Sequence, residues 1–162
     1  MADPFIDTDV IIRLLSRDDL VKQEAAAVLF EAIKVGKLKV AAPDTVIADA
    51  VYVLSSPRLY NLPRSEVSEL LSPLVRLPGF KVENRADVLR ALELYASTKV
   101  DFSDALIVAA MEQVGSQILY SYDTHFDRLQ GITRVEPPMV AEGLRDVAEE
   151  PIAEETVEGV DE

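Results

Sequence analysis

Short apolar runs alternate with longer stretches of helical spacing along this chain, and that alternation limits the folds open to it. The runs are residues 4–6, 38–42, 80–82 and 117–122, with a short fifth at 133–135. Between the first four lie helical patterns over residues 10–15, 20–35, 43–54, 63–77, 84–96 and 101–113. Within 20–35, Ala26, Leu29, Phe30 and Ile33 recur at three- and four-residue steps, as one buried helix face requires. Gly36 follows, suited to a left-handed helix end. Pro57 makes 55–62 a loop, and Pro78-Gly79 interrupts the chain before the third run. Asp44, Asn84 and Asp101 are placed to cap the helices that follow them. Strands alternating with helices predict an α/β fold, a central parallel sheet of four to five strands flanked by helices on both faces. No internal repeat is visible.

A length of 162 residues suits one domain with a real core, and 49% hydrophobic residues is an ordinary globular value. The absence of Cys excludes thiol catalysis and thiolate zinc sites, and a single histidine, His125, excludes a multi-histidine metal site. The first residues, Met-Ala-Asp-Pro, lack a basic leader, and no run is long enough to span a membrane, so a cytoplasmic location is expected. The net charge of −13 is uneven: residues 140–162 carry −8 and residues 1–139 carry −5. The body is thus only mildly acidic. Acidity argues against broad nucleic-acid affinity through net charge, but not against a local site. Residues 1–138 are expected to form the domain, and 139–162 an acidic, flexible tail.

Four carboxylates carry the chemistry. Asp7 and Asp123 end the first and fourth apolar runs, while Asp49 and Asp104 lie on helical patterns. In open parallel sheets, ligands bind beyond the carboxyl ends of the strands. If strands one and four are neighbours, Asp7 and Asp123 face one crevice, and Asp49 and Asp104 lean in from flanking helices. Two carboxylates at ~4 Å repel by roughly 4 kcal/mol at an effective dielectric near 20. Such a cluster needs protons or a hard cation, and Mg²⁺ or Mn²⁺ takes all-oxygen ligands. Each acid also has a plainer reading. Asp7 could cap the next helix, with Asp9 a helix-start residue and Thr8 orienting an acid. Asp49 could lie on an exposed stripe. Asp101 suits a cap, leaving Asp104 to point inward or to complete a capping box. Asp123 could be a turn residue. His125 reads as an exposed loop residue able to donate to a phosphate. Arg13, Arg17, Arg58, Arg64 and Arg128 are candidate phosphate contacts.

Taken in order, these pieces resemble a PIN-domain ribonuclease of the VapC toxin type. Phe5-Ile6-Asp7-Thr8-Asp9-Val10 resembles the opening motif, Ile47-Ala48-Asp49-Ala50-Val51-Tyr52-Val53-Leu54 the second, and residues 101–110 the third. Leu119-Tyr120-Ser121-Tyr122-Asp123-Thr124-His125-Phe126 is similar to the last strand and acid. Asp49 stands where the family usually has Glu, and Asp9 where it usually has Asn. The resemblance implies a PIN-like three-layer fold and an endoribonuclease dependent on Mg²⁺ or Mn²⁺. Asp7, Asp49, Asp104 and Asp123 would hold metal, and a metal-activated water would cleave RNA. It also implies a homodimer and a small antitoxin partner. Two alternatives stand beside it. Asp7-Thr8-Asp9-Val10-Ile11, with Asp123 and Asp127, mimics a haloacid-dehalogenase-type phosphatase, and a non-catalytic PIN-like association domain is also open.

Overall fold

The computed structural model describes residues 2–137, so the expected tail falls outside the described residues. They divide into two compact units, one ending at Ser116 and one beginning at Gln117. The first unit holds α1 (Thr8–Leu15), α2 (Leu20–Lys34), β1 (Val40–Ala42), α3 (Asp44–Ser55), α4 (Arg64–Val75), β2 (Phe80–Val82), α5 (Arg85–Ser97) and α6 (Phe102–Val114). The second holds β3 (Ile118–Tyr120) and β4 (Thr133–Val135), with a 3₁₀ turn at Thr124–Arg128 between them.

β1 and β2 run parallel, Val40 opposite Phe80 and Ala42 opposite Val82. On the other side of β1, Phe5 makes a single parallel bridge to Ala41. Two hydrogen bonds form it: Ala41 N–H donates to Pro4 O at 2.8 Å and Ile6 N–H to Ala41 O at 3.1 Å. The first apolar run is therefore an edge segment rather than a full strand. In the second unit β3 and β4 are also parallel. The expected parallel pairing is present, in strands of three residues each.

Helix starts show where local chemistry differs from expectation. Asp19 caps α2 by accepting from Lys22 N–H at 3.0 Å. Asp44 does not cap α3: the cap position belongs to Pro43, and Asp44 is the first helical residue. Its carboxylate instead accepts from the Asn84 amide at 3.3 Å. Asn84 precedes α5 in a left-handed conformation, φ 54°, and no side-chain cap bond forms there. Asp101 occupies the α6 cap position, but its side chain makes no cap bond. It lies 3.8 Å from the Arg64 guanidinium instead. At the other end, Gly36 and Gly115 take φ of 82° and 72°, the left-handed values that glycine supplies without strain.

The core is aliphatic. Ile11, Ile33, Ile47, Leu54, Leu71 and Leu92 are fully buried, each contributing about 1.5–3 kcal/mol by removal from water. Phe30 meets Phe80 edge to face, with centroids 5.8 Å apart, and joins α2 to β2. α1 packs on α2 and α3, while α5 packs between α4 and α6.

Candidate active site

The first unit brings two of the four expected acids together. Asp7 and Asp49 line one open cleft of about 510 Å³, joined there by Asp9, Arg13 and Asp18. Asp7 is the N-cap residue of α1, and its Oδ1 accepts from Thr8 N–H at 2.6 Å. Its plainer reading as a cap therefore holds, and so does its position on the cleft. Asp9 is the second residue of α1. Asp49 is on the exposed stripe of α3, between the buried residues Ile47 and Ala50, and that stripe faces the cleft.

Thr8 does not orient an acid, as its position suggested. Its hydroxyl donates across to Val46 O at 3.2 Å. Val46 is three residues before Asp49, one helical turn away. The bond thus sets the register between the turn that carries Asp7 and Asp9 and the helix that carries Asp49. Farther along the cleft, the Tyr60 hydroxyl donates to the Asp18 carboxylate.

Asp104 is half-buried on α6 and is not among the residues lining this cleft. Its neighbours Asp101 and Ser103 line a second cleft of about 570 Å³, which shares Tyr52 with the first. Arg64, a candidate phosphate contact, is a fixed wall there. Its guanidinium donates to Val100 O at 2.6 Å and Tyr95 O at 3.2 Å and stacks over the Tyr95 ring at 4.4 Å. Arg13 lies among the acids of the first cleft instead.

Asp123 belongs to the second unit and caps the 3₁₀ turn. Its Oδ1 accepts from His125 N–H at 2.9 Å and pairs with the His125 imidazole at 2.6 Å. The backbone N–H of His125, and then its ring, hold the Asp123 carboxyl below the usual range. His125 is exposed, as expected, but paired. Asp127, the other acid of the phosphatase alternative, is gripped by Arg134 at 2.9 and 3.3 Å, and that pairing weighs against a catalytic role.

Among the described residues no three acidic or imidazole side chains converge enough to enclose an ion by themselves. The donors of the first cleft nevertheless fit a hard cation in kind: they are exposed, all-oxygen, and gathered on one surface. Mg²⁺ usually keeps several waters and takes only one or two protein carboxylates together with substrate phosphate. Asp7 and Asp49 suit that mode of binding.

Comparison with known proteins gives the family. The family model described as PIN domain matches residues 5–132. The chain belongs to the PIN domain family. Its fold is the three-layer α/β fold of that family, and the match spans Asp7, Asp49, Asp104 and Asp123. It is also 26% identical over 132 residues to a VapC ribonuclease of Aquifex aeolicus (strain VF5), covering 82% of this chain and 95% of that protein. Sequence reasoning on the PIN motifs missed Tyr52, Asp18 and Tyr60. Tyr52 could have been found, because a tyrosine three residues after Asp49 shares its helix face. Asp18 and Tyr60 carry no such local signal, since 42 residues separate them.

Proposed function

We propose that this PIN protein is a metal-dependent endoribonuclease of the VapC toxin type. It hydrolyses RNA phosphodiester bonds in the cytoplasm, acts as a homodimer and is held in check by a cognate antitoxin. The meeting of Asp7, Asp9 and Asp49 in one open cleft carries the reading. The VapC ribonuclease relative supports RNA as the substrate, and among the described residues no helix is long and apolar enough to cross a membrane.

Asp7 and Asp49 would hold Mg²⁺ or Mn²⁺ in the cleft. Such an ion lowers the pKa of a coordinated water and offsets charge on the scissile phosphate. The chain's own contribution is positional. Thr8 keeps α1 and α3 in register, so that the two carboxylates share one surface. Arg13 sets a positive charge beside the four acids of the cleft, where a phosphate oxygen can meet it.

The test is cleavage of a labelled RNA by the wild type, Asp7→Asn and Asp49→Asn, with Mg²⁺, Mn²⁺ or EDTA. Cleavage is expected only with metal, and each variant should lose roughly 10²-fold or more. Metal binding by calorimetry without any cleavage would favour the association domain. Cleavage that persists in EDTA would sink the metal assignment.

A further inference from the structure

The first unit separates its charges along the strand direction. The exits from the edge segment, β1 and β2 carry acids: Asp7 and Asp9, Asp44, and Glu83. The entries to β1 and β2 carry cations. Residues 32–42 hold Lys34, Lys37 and Lys39, and residues 70–82 hold Arg76 and Lys81, with no acid in either stretch. The whole chain has 29 acids against 16 lysines and arginines, so two acid-free stretches that both carry cations stand out from it. The fold brings them together. A Cβ at Gly79 would stand 2.9 Å from Ile33 O and 3.2 Å from Leu38 O, and Val40 N–H donates to Gly79 O at 2.9 Å. Lys34 follows Ile33, Lys37 and Lys39 flank Leu38, and Arg76 stands three residues before Gly79.

Lys34, Lys37, Lys39 and Arg76 are all exposed, and among the described residues none of them is in an ion pair. Asp3, the acid on which Lys39 acts, is held by Lys81 at 2.6 Å. Helix dipoles account for Lys34, in the last turn of α2, and for Arg76, at the end of α4. They do not account for Lys37 and Lys39, which lie beyond the helix. Cations gathered at one end repel one another, and an anion laid across them relieves that repulsion. Charges spread over two loops suit a chain of phosphates better than a single one. Helix α2 connects this end with the acidic cleft: Lys22 near its start lines a groove with Asp9, and Asp9 lines the cleft. The helix has 15 residues and is about 22 Å long, which a stacked strand covers in roughly six phosphates.

We infer that Lys34, Lys37, Lys39 and Arg76 form a second RNA contact, a surface that holds the phosphate backbone about one helix length from the cleft where the strand is cut. The inference rests on the ribonuclease reading and names the surface by which an acidic protein retains its substrate. A net charge of −13 repels RNA at long range, and a local group of unpaired cations offsets that repulsion. Phosphate contacts carry no base information, so the surface adds affinity without choosing the site of cleavage. Its members are positioning residues, since they touch the RNA away from the reacting atoms.

The test measures binding of fluorescent single-stranded RNAs by anisotropy in Ca²⁺ over a range of salt, and cleavage of the same RNAs in Mg²⁺. One RNA has about 25 nucleotides and one about four, too short to reach from the cleft to the surface. The double variant Lys37→Ala, Lys39→Ala should bind the long RNA about tenfold more weakly at low salt, with KM raised in step. Its slope of log affinity against log salt should be shallower by about 1.4, or 0.7 for each lost phosphate contact. The loss should shrink to within about twofold on the short RNA, which sees only the change in net charge. Lys99→Ala makes a like change in charge at another exposed position and serves as the control. Both variants replace exposed side chains and should melt like the wild type. An unchanged affinity and salt slope on the long RNA overturns the inference while the ribonuclease reading stands. So does an equal loss on both RNAs, or an equal loss in Lys99→Ala. Binding of a polyglutamate peptide through Lys37 and Lys39, with RNA unaffected, would assign the surface to an acidic protein and also overturn it. A long RNA held through these lysines but never cut sinks the ribonuclease reading and leaves the surface. A wild type that neither binds nor cuts RNA removes both.

Discussion

Replacing Thr8 by Val keeps the side chain's volume and removes its hydroxyl. The bond to Val46 O at 3.2 Å is then lost, and a half-buried carbonyl is left short of a partner. Stability should fall by about 1 kcal/mol. Cleavage should fall further, by about tenfold, because Asp7 and Asp49 lose their register and small misplacements are costly in a catalytic site. Thr8→Ser should recover most of both. Thermal melting beside cleavage rates checks this, and equal activity in Thr8→Val would show that the register is held by packing alone. The same scale shows what a single sequence can and cannot disclose. Asp7 was visible because an acid ends an apolar run, and the structure puts it on the cleft. Asp101 and Asp104 looked like cap and ligand, yet Asp101 turns its carboxylate toward Arg64 and leaves the cap bond unmade. Arg64 lies 37 positions away, and no local pattern could have named it.

Gly79 illustrates the limit at the level of elements. In the sequence, Pro78-Gly79 reads as a break ahead of a strand, which it is. The structure adds that a Cβ at Gly79 would stand 2.9 Å from Ile33 O and 3.2 Å from Leu38 O. The end of α2 and the approach to β1 thus press on the entry to β2. Because these are backbone atoms, they cannot swing aside, and Gly79→Ala should cost about 1–3 kcal/mol. A urea midpoint unchanged from the wild type would refute that close packing. Helices were legible because their period repeats over several turns: α2 and α4–α6 each lie within two residues of the expected spans. Strands were legible in place but not in length. β2 and β4 match residues 80–82 and 133–135, whereas β1 begins only at Val40 and β3 ends at Tyr120. Pairing, not composition, decides where a strand stops, and partners lie far away in the chain.

Across the molecule, the charge is unevenly spread. The PIN match ends at residue 132, ahead of the segment 140–162 that carries −8. We expect a chain ending near Pro138 to unfold with an unchanged midpoint and to bind RNA more tightly, most clearly at low salt. A drop in cooperativity or midpoint on truncation would show that the fold depends on those residues. One further consequence follows from the edge segment that leads into Asp7. It is tied to β1 by two backbone bonds through Ala41, and Phe5 between them is 70% exposed. Ile6 beside it is buried, so detachment also exposes one core side chain, at about 1.5–3 kcal/mol, far less than opening the closed interior around Ile11, Ile47 and Leu92. Local opening at a sheet margin costs far less than global unfolding. The population with Asp7 in place is thus governed by a local equilibrium rather than by global unfolding, and on the reading proposed above, heat or denaturant would reduce cleavage before the rest of the molecule unfolds.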